Sequence, residues 1–472
     1  MKLFSIQGKY ILLAITVCNC LHVFIVNGQE QKTLLLTTAV KNGIKNYQGI
    51  QAKENYLLAS TAIVKNVQHQ YLPDVIASIQ QVYGTINGQL GPAAAFGGAG
   101  ISSAGPSYSS QSWNAAFGSV YLINTNWEFI SFGRLKSRID AAHAQVQTDS
   151  ANLTQEKFVQ GIRIAGAYLN LLIAQRLVQT AQLNIERTSY IQQSVIARTK
   201  SGLTAGVDSS IVNAEVSAAR LLLIQSKNRE QELSNQLAQL LNAVPEILQL
   251  DTSYFNKIPV NYNTVASITD NPQARFYERR IIQSNAVAKY IKKSINPGLN
   301  LFGAFQTRGS GFDYNYTPDF NSRFNKSYLE GIRPARYNYL VGLGLSWNLI
   351  SPFKINQQAK AQQYLSAAYQ NEYDLVTTQL KDQVILSDQQ IDNSLKSVRE
   401  APLQLKAATD AYLQKTVLYK NGLTTIVDVQ QALFALNRAQ TDISVAYINV
   451  WQALLLKAAA SGDFDLFINQ VQ

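Results

Sequence analysis

Cysteine is almost missing from this chain: there are two, Cys18 and Cys20, both within the first 28 residues. If that segment is removed on export, the mature chain has none, and disulfides, thiol catalysis and cysteine metal sites drop out together. Histidine is nearly as scarce, at His22, His69 and His143, without an H-E-x-x-H or any ligand spacing, so no metal is expected. Gly97-Gly98-Ala99-Gly100 is glycine-rich but lacks the strand–helix context of a phosphate cradle, and no cofactor is expected. No dense block of cations accompanies the net charge of +11, which argues against nucleic acid as a partner. No catalytic constellation stands out, so an enzyme is not expected. Beyond the first 28 residues no run reads as long and apolar enough for a membrane-spanning helix. If the chain enters a membrane it is therefore expected to do so as a closed β-barrel, the other structure that satisfies every backbone group in lipid.

What is present begins with a compartment signal. Lys2 and Lys9 precede the apolar run Ile11 to Val26, and Val26-Asn27-Gly28 leads into a polar stretch. A basic start, an apolar centre and a small residue before polarity read as a cleavable secretory leader, residues 1–28.

The mature chain carries an internal repeat. GLTAGVD starts at Gly202 and GLTTIVD at Gly422, and the same offset relates Trp127 to Trp347, Ile130 to Ile350 and Ser131 to Ser351. Two copies of one unit are expected, residues 29–250 and 272–472, joined by an irregular segment, 251–271.

Each copy repeats the same order of patterns. Phe117, Ser119, Tyr121, Ile123, Thr125, Trp127 and Phe129 take every second position, as do Tyr337, Tyr339, Val341, Leu343, Leu345, Trp347 and Leu349 in the other copy. Alternation of this kind predicts strands with one apolar face, and about 13 residues exceed the ~9–11 that a tilted strand needs to cross a bilayer. Weaker strands precede them near Val75 to Leu90 and Leu299 to Arg308. The loops within these hairpins are long and polar, as on the cell-exterior side of an outer-membrane barrel, and Trp127 and Trp347 near the opposite strand ends fit an interfacial aromatic girdle. Two hairpins supply four strands, whereas a transmembrane barrel needs at least about eight. Several copies must each contribute, and three would give twelve.

After each hairpin, helix formers run from about Gly133 to Lys200 and from about Phe353 to Lys420. Each run predicts a helix of roughly 100 Å, kinked in the second copy at Pro402. Returning helices are expected over about Asp208 to Asn242 and Asp428 to Ala460, with others over Thr33 to Leu72 and from Asn271-Pro272 to about Ser294. Asn271 serves as cap and Pro272 takes the first helical position.

The duplicated strand–long helix–GL(T)xxxD–helix unit, with the turns Lys200 to Thr204 and Lys420 to Thr424, resembles the TolC-type outer-membrane efflux protein family over essentially the whole mature length. That resemblance implies a mixed α and β fold: a two-repeat subunit of a trimeric 12-stranded transmembrane β-barrel joined to a long periplasmic α-helical barrel. It implies an exit duct in the outer membrane of a Gram-negative bacterium, working as a homotrimer in outer-membrane lipid with a periplasmic adaptor protein and an inner-membrane transporter. The turn residues Gly202, Leu203, Gly422 and Leu423 would then dock the adaptor, or simply invert the chain. Asp208 and Asp428 would cap the following helices or take part in a gate at the periplasmic tip. By position in the family motif, Asp208 and Tyr419 match a gate pair, a phenol donating to a carboxylate. The family's gate arginine falls on Thr424, and of two acidic ring positions Asp428 matches one while Gln431 stands at the other. The competing readings are a structural or adhesive coiled-coil envelope protein that forms no pore, and a periplasmic adaptor. The latter has one helical hairpin and no strands of bilayer length.

Overall fold

The computed structural model describes residues 33–88, 107–244, 248–260, 262, 267–318 and 323–470; the leader lies outside them. In chain order the elements are α1 (Leu36–Asn46), α2 (Gln48–His69), β1 (Asp74–Thr85), β2 (Ala115–Ile130), α3 (Arg134–Lys200), α4 (Gly206–Leu241), α5 (Pro272–Lys293), β3 (Gly298–Ser310), α6 (Tyr328–Ile332), β4 (Arg336–Ser346), α7 (Ser351–Lys420), α8 (Ile426–Ser461) and α9 (Asp465–Ile468). Short 3-10 turns at Ser253–Phe255 and Ile268–Asp270 interrupt the irregular segment. The chain divides into two compact units, one of Met1–Gln48, Lys157–Ser267 and Lys381–Gln472, the other of Gly49–Glu156 and Ile268–Leu380. Each draws on both halves of the sequence.

The second unit holds the four strands as one antiparallel sheet, ordered β1-β2-β3-β4. Residues paired across neighbouring strands point to the same face, so the register assigns each face. Val75 pairs with Thr125, Ala77 with Ile123, Ile79 with Tyr121 and Tyr83 with Phe117. Ile123 pairs in turn with Phe305 and Trp127 with Leu301, and Phe305 with Tyr339, Gly303 with Val341 and Leu301 with Leu343. The apolar alternations expected separately for β2 and β4 thus join into one face across all four strands. The other face carries Asn124 and Asn126, Asn300 and Gln306, and Asn338, Gly342 and Gly344. Among the described residues neither β1 nor β4 pairs with a further strand on its outer edge.

Some boundaries differ from expectation. β1 ends at Thr85 and not Leu90, and β4 at Ser346, so Trp347 and Leu349 follow the strand. The helix expected over Thr33 to Leu72 is broken at Tyr47, which is extended. Asn271 caps α5 as expected, accepting from the Gln273 amide at 2.9 Å. The long helices reach 67 and 70 residues. Pro402 lies inside α7 without ending it, on the exposed side, while Ala401 takes the buried position.

The first unit is built on α3. Ile164, Ala165, Tyr168, Leu169, Leu171 and Leu172 pack against Leu36 and Val40 of α1, Leu233 and Leu237 of α4, and Trp451, Leu454 and Ala458 of α8. Each such side chain contributes ~1.5–3 kcal/mol on burial, and a helix as long as α3 depends on such partners more than on propensity. The Tyr168 hydroxyl donates to the Leu34 carbonyl at 2.7 Å and accepts from the Asp251 amide at 2.9 Å. Burial pushes its pKa up to about 12. One expectation is corrected here: α8 is long and apolar enough, by length and composition, to cross a membrane. Its apolar side is packed instead into protein, with Val450, Trp451, Leu454 and Ala458 buried. Composition alone does not separate a core helix from a spanning one.

Candidate functional site: the paired turns and the sheet

The two repeat turns have one backbone design. The long helices α3 and α7 end at Lys200 and Lys420, and Gly202 and Gly422 follow with φ of +71° and +75°. The Leu203 amide donates to the Arg198 carbonyl at 2.9 Å and the Gly202 amide to Thr199 at 3.0 Å; Leu423 and Gly422 do the same to Leu418 and Tyr419. These are the two bonds of a Schellman close, which needs a left-handed residue at the position both glycines hold. The design leaves Leu203 69% and Leu423 72% exposed. Val207 and Val427, one turn further on, are exposed as well.

The two turns then diverge, because Thr425 in the second copy stands where the first has Ala205. Thr425 and Asp428 form a reciprocal capping box on α8, with Thr425 Oγ1 donating to Asp428 Oδ2 at 2.7 Å and the Thr425 amide donating to it at 3.2 Å. Thr424 Oγ1 donates to the same oxygen at 2.8 Å, and Lys415 Nζ lies 3.4 Å from Oδ1. These bonds, led by those from the two threonine hydroxyls, hold the Asp428 carboxyl well below the usual carboxylate range. Thr424, at the family's arginine position, thus supports the cap. Ala205 caps nothing, so α4 starts without a side-chain cap. Asp208 sits in its first turn, where a negative charge suits the helix end, and its carboxylate has no hydrogen bond among the described residues. Gln431 is exposed.

The expected bond from Tyr419 to Asp208 is not formed. Tyr419 is 6% exposed in a cluster with Ile191, Val195, Val212, Ile426, Val429 and Leu433, and its Oη has no hydrogen-bond partner. Burial, and then the Asp208 charge, push the phenol pKa up, while Arg198 opposes them. The residue that reaches Tyr419 is Arg198, which the sequence reading did not single out. Its guanidinium lies 5.3 Å from the Tyr419 ring centre, and its Nη1 donates to the Lys420 carbonyl at 2.9 Å. Its Nε is buried without a partner. An arginine therefore does lie beside this turn, but it comes from the first copy and lies over the last turn of α7. The signal available in sequence was the asymmetry between Arg198-Thr199 and Leu418-Tyr419 at otherwise matching turns.

The two tryptophans do equivalent work in the other unit. Trp127 Nε1 donates to the Tyr71 carbonyl at 2.7 Å and Trp347 Nε1 to the Ile295 carbonyl at 3.0 Å. Tyr71 and Ile295 are the helix-to-strand junctions that precede β1 and β3. Each indole therefore ties the end of a hairpin to its own start, with an apolar body and a polar tip as an interfacial residue requires. Among the described residues no group of acidic, cysteine and histidine side chains could hold a metal.

Comparison with known proteins agrees with this architecture. Residues 99–243 match the outer membrane efflux protein family. Sequence comparison with curated proteins finds no match. Among solved structures, the outer-membrane channel OprN is similar at 17% identity, covering 91% of this chain and 90% of its own, with a TM-score of 0.70. The outer membrane protein VceC of Vibrio cholerae is similar at 13% identity, covering 90% and 96%, with a TM-score of 0.70. The Campylobacter jejuni CmeC outer membrane channel is similar at 12% identity, covering 91% and 85%, with a TM-score of 0.71. The fold is the one these outer-membrane channels share, and residues 99–243 carry the match to the outer membrane efflux protein family. The resemblance to the TolC-type family, read from the repeated turns, is borne out.

Proposed function

We propose that this chain is one of three identical subunits of an exit duct, passing cargo from an inner-membrane transporter, through a periplasmic adaptor, to the cell exterior. The observation that carries the assembly is the sheet: four strands, mostly apolar along one face, with two edges unpaired among the described residues. An open edge is not tolerated in hydrocarbon, and four strands do not close a barrel. Pairing β4 of one copy with β1 of the next, three times over, removes every edge and gives twelve strands. The same apolar face argues against a water-exposed adhesive rod. In this reading the apolar face meets lipid, the Asn- and Gly-bearing face lines the lumen, and Trp127 and Trp347 mark the periplasmic border of the membrane. Residues 29–250 and 272–472 are the two repeats that supply a hairpin each.

The paired turns are the periplasmic end. Leu203 and Leu423 offer exposed apolar contacts to an adaptor, presented by Gly202 and Gly422. The gate lies beside them. Arg198 ties the end of α3 to the end of α7 through the Tyr419 ring and the Lys420 carbonyl, and the Asp208 charge acts on the Tyr419 phenol without a bond to it. The ring of charge reduces to Asp428, since Gln431 brings none.

Cysteine scanning tests the assembly. The mature chain lacks cysteine, so variants with one cysteine along the β1 edge and one along the β4 edge report only engineered bonds. A set of such pairs should cross-link to a closed trimer in outer-membrane fractions. A chain that stays monomeric and soluble without detergent would refute the duct.

A further inference from the structure

The lumen-side face of the sheet holds a pair of cations that nothing in the sheet balances. Arg308 of β3 pairs directly with Arg336 of β4, so both side chains leave the same face, and like charges placed opposite each other are destabilising. The Arg308 side chain makes no hydrogen bond or ion pair among the described residues. Arg336 Nη1 reaches only the carbonyl of its neighbour Ala335, at 2.9 Å. The register sets their surroundings. Val120 lies beside Arg308 and Gln80 beside Val120. The next level inward holds Gln306 opposite Asn338, then Leu122 and Ser78. No acidic residue occupies this face of the four strands until Asp74, at the far end of β1, which pairs with Asn126. The pair stands at the end of β3 and β4 next to their connecting loop, the cell-exterior end of the hairpins.

Two adjacent guanidinium groups are a poor choice for stability and a good one for holding an anion. Each offers several N–H donors in a fixed fork suited to phosphate, sulfate or carboxylate oxygens, and a narrow low-dielectric passage raises the local concentration of the opposite charge. We propose that Arg308 and Arg336, two from each of three copies, form a cationic collar near the outer mouth of the duct, where anionic solutes bind in passing. The collar rests on the duct reading above, which turns this face of the sheet inward.

The test uses the full-length trimer in planar bilayers with inorganic tripolyphosphate as the probe anion. Added on the exterior side at low salt, it should reduce the current of the wild-type channel at lower concentration than when added on the periplasmic side. Arg308→Gln with Arg336→Gln should weaken the exterior block by roughly tenfold or more, the scale of losing charge-assisted bonds, and should shift the reversal potential in a salt gradient toward cations. Arg308→Lys with Arg336→Lys keeps the charge and should keep most of both effects. It also separates loss of charge from failure to fold. Channels whose block and reversal potential are the same in wild type and the glutamine pair would overturn the collar, as would block from the periplasmic side alone. A wild-type protein that forms no channels at all would take down the duct reading, and the collar with it.

Discussion

If the paired turns close the proposed duct, replacing Arg198 by glutamine should loosen them. Two contacts are lost. The guanidinium lies 5.3 Å from the centre of the buried Tyr419 ring, a cation–π contact of about 0.5–1 kcal/mol where partly exposed. Its Nη1 bond to the Lys420 carbonyl at 2.9 Å joins a cation to the negative end of α7, worth about 1–2 kcal/mol once solvent screening is allowed for. Together they amount to about 2 kcal/mol per subunit, roughly a 30-fold change in the balance between tied and released tips. In planar bilayers Arg198→Gln should therefore raise the conductance or the time spent in high-conductance states, with the trimer intact by native electrophoresis. Arg198→Lys keeps the charge but not the planar fork and should fall between. The structure also separates this tie from a phenol–carboxylate latch. Tyr419 Oη has no partner, so Tyr419→Phe keeps the ring under Arg198 and should leave conductance unchanged, whereas Tyr419→Leu should raise it. If Tyr419→Phe opens the channel as far as Arg198→Gln does, the stacking account is wrong and a hydrogen bond made in the assembly holds the tip.

Three further outcomes are expected. Leu203→Ser with Leu423→Ser should leave trimer yield unchanged while reducing cross-linking to an adaptor and export in cells; unchanged export removes the turns from the docking surface. Tyr168 is held neutral by burial, with its pKa raised from 10.0 to about 12, so its contribution is complete below pH 10 and is lost as the pH rises toward 12. Denaturant unfolding should weaken over that window, and less steeply in Tyr168→Phe. Gly331→Ala should displace α6, because an added Cβ would lie 2.4 Å from the Phe117 Cβ; faster proteolysis of the 311–335 loop in intact cells is the readout, and an unchanged rate would show that the loop accommodates it.

Much of this architecture is legible in the chain because it depends on local period. Alternation in steps of two announced β2 and β4, the 220-residue offset located both glycine turns, and Asn271-Pro272 marked the start of α5. These signals are carried by neighbours in sequence, where backbone geometry and capping act. What the sequence did not disclose are relations between distant segments. That the apolar faces of two hairpins coincide was settled by strand register, since a shift of one residue would have turned one of them over. That α8 is a core helix was settled by what packs on it, not by its hydropathy. And the partner of Tyr419 proved to be an arginine 221 positions earlier, beside the other turn, because a cation finds a ring through the packing of α3 against α7 and no spacing rule connects the two.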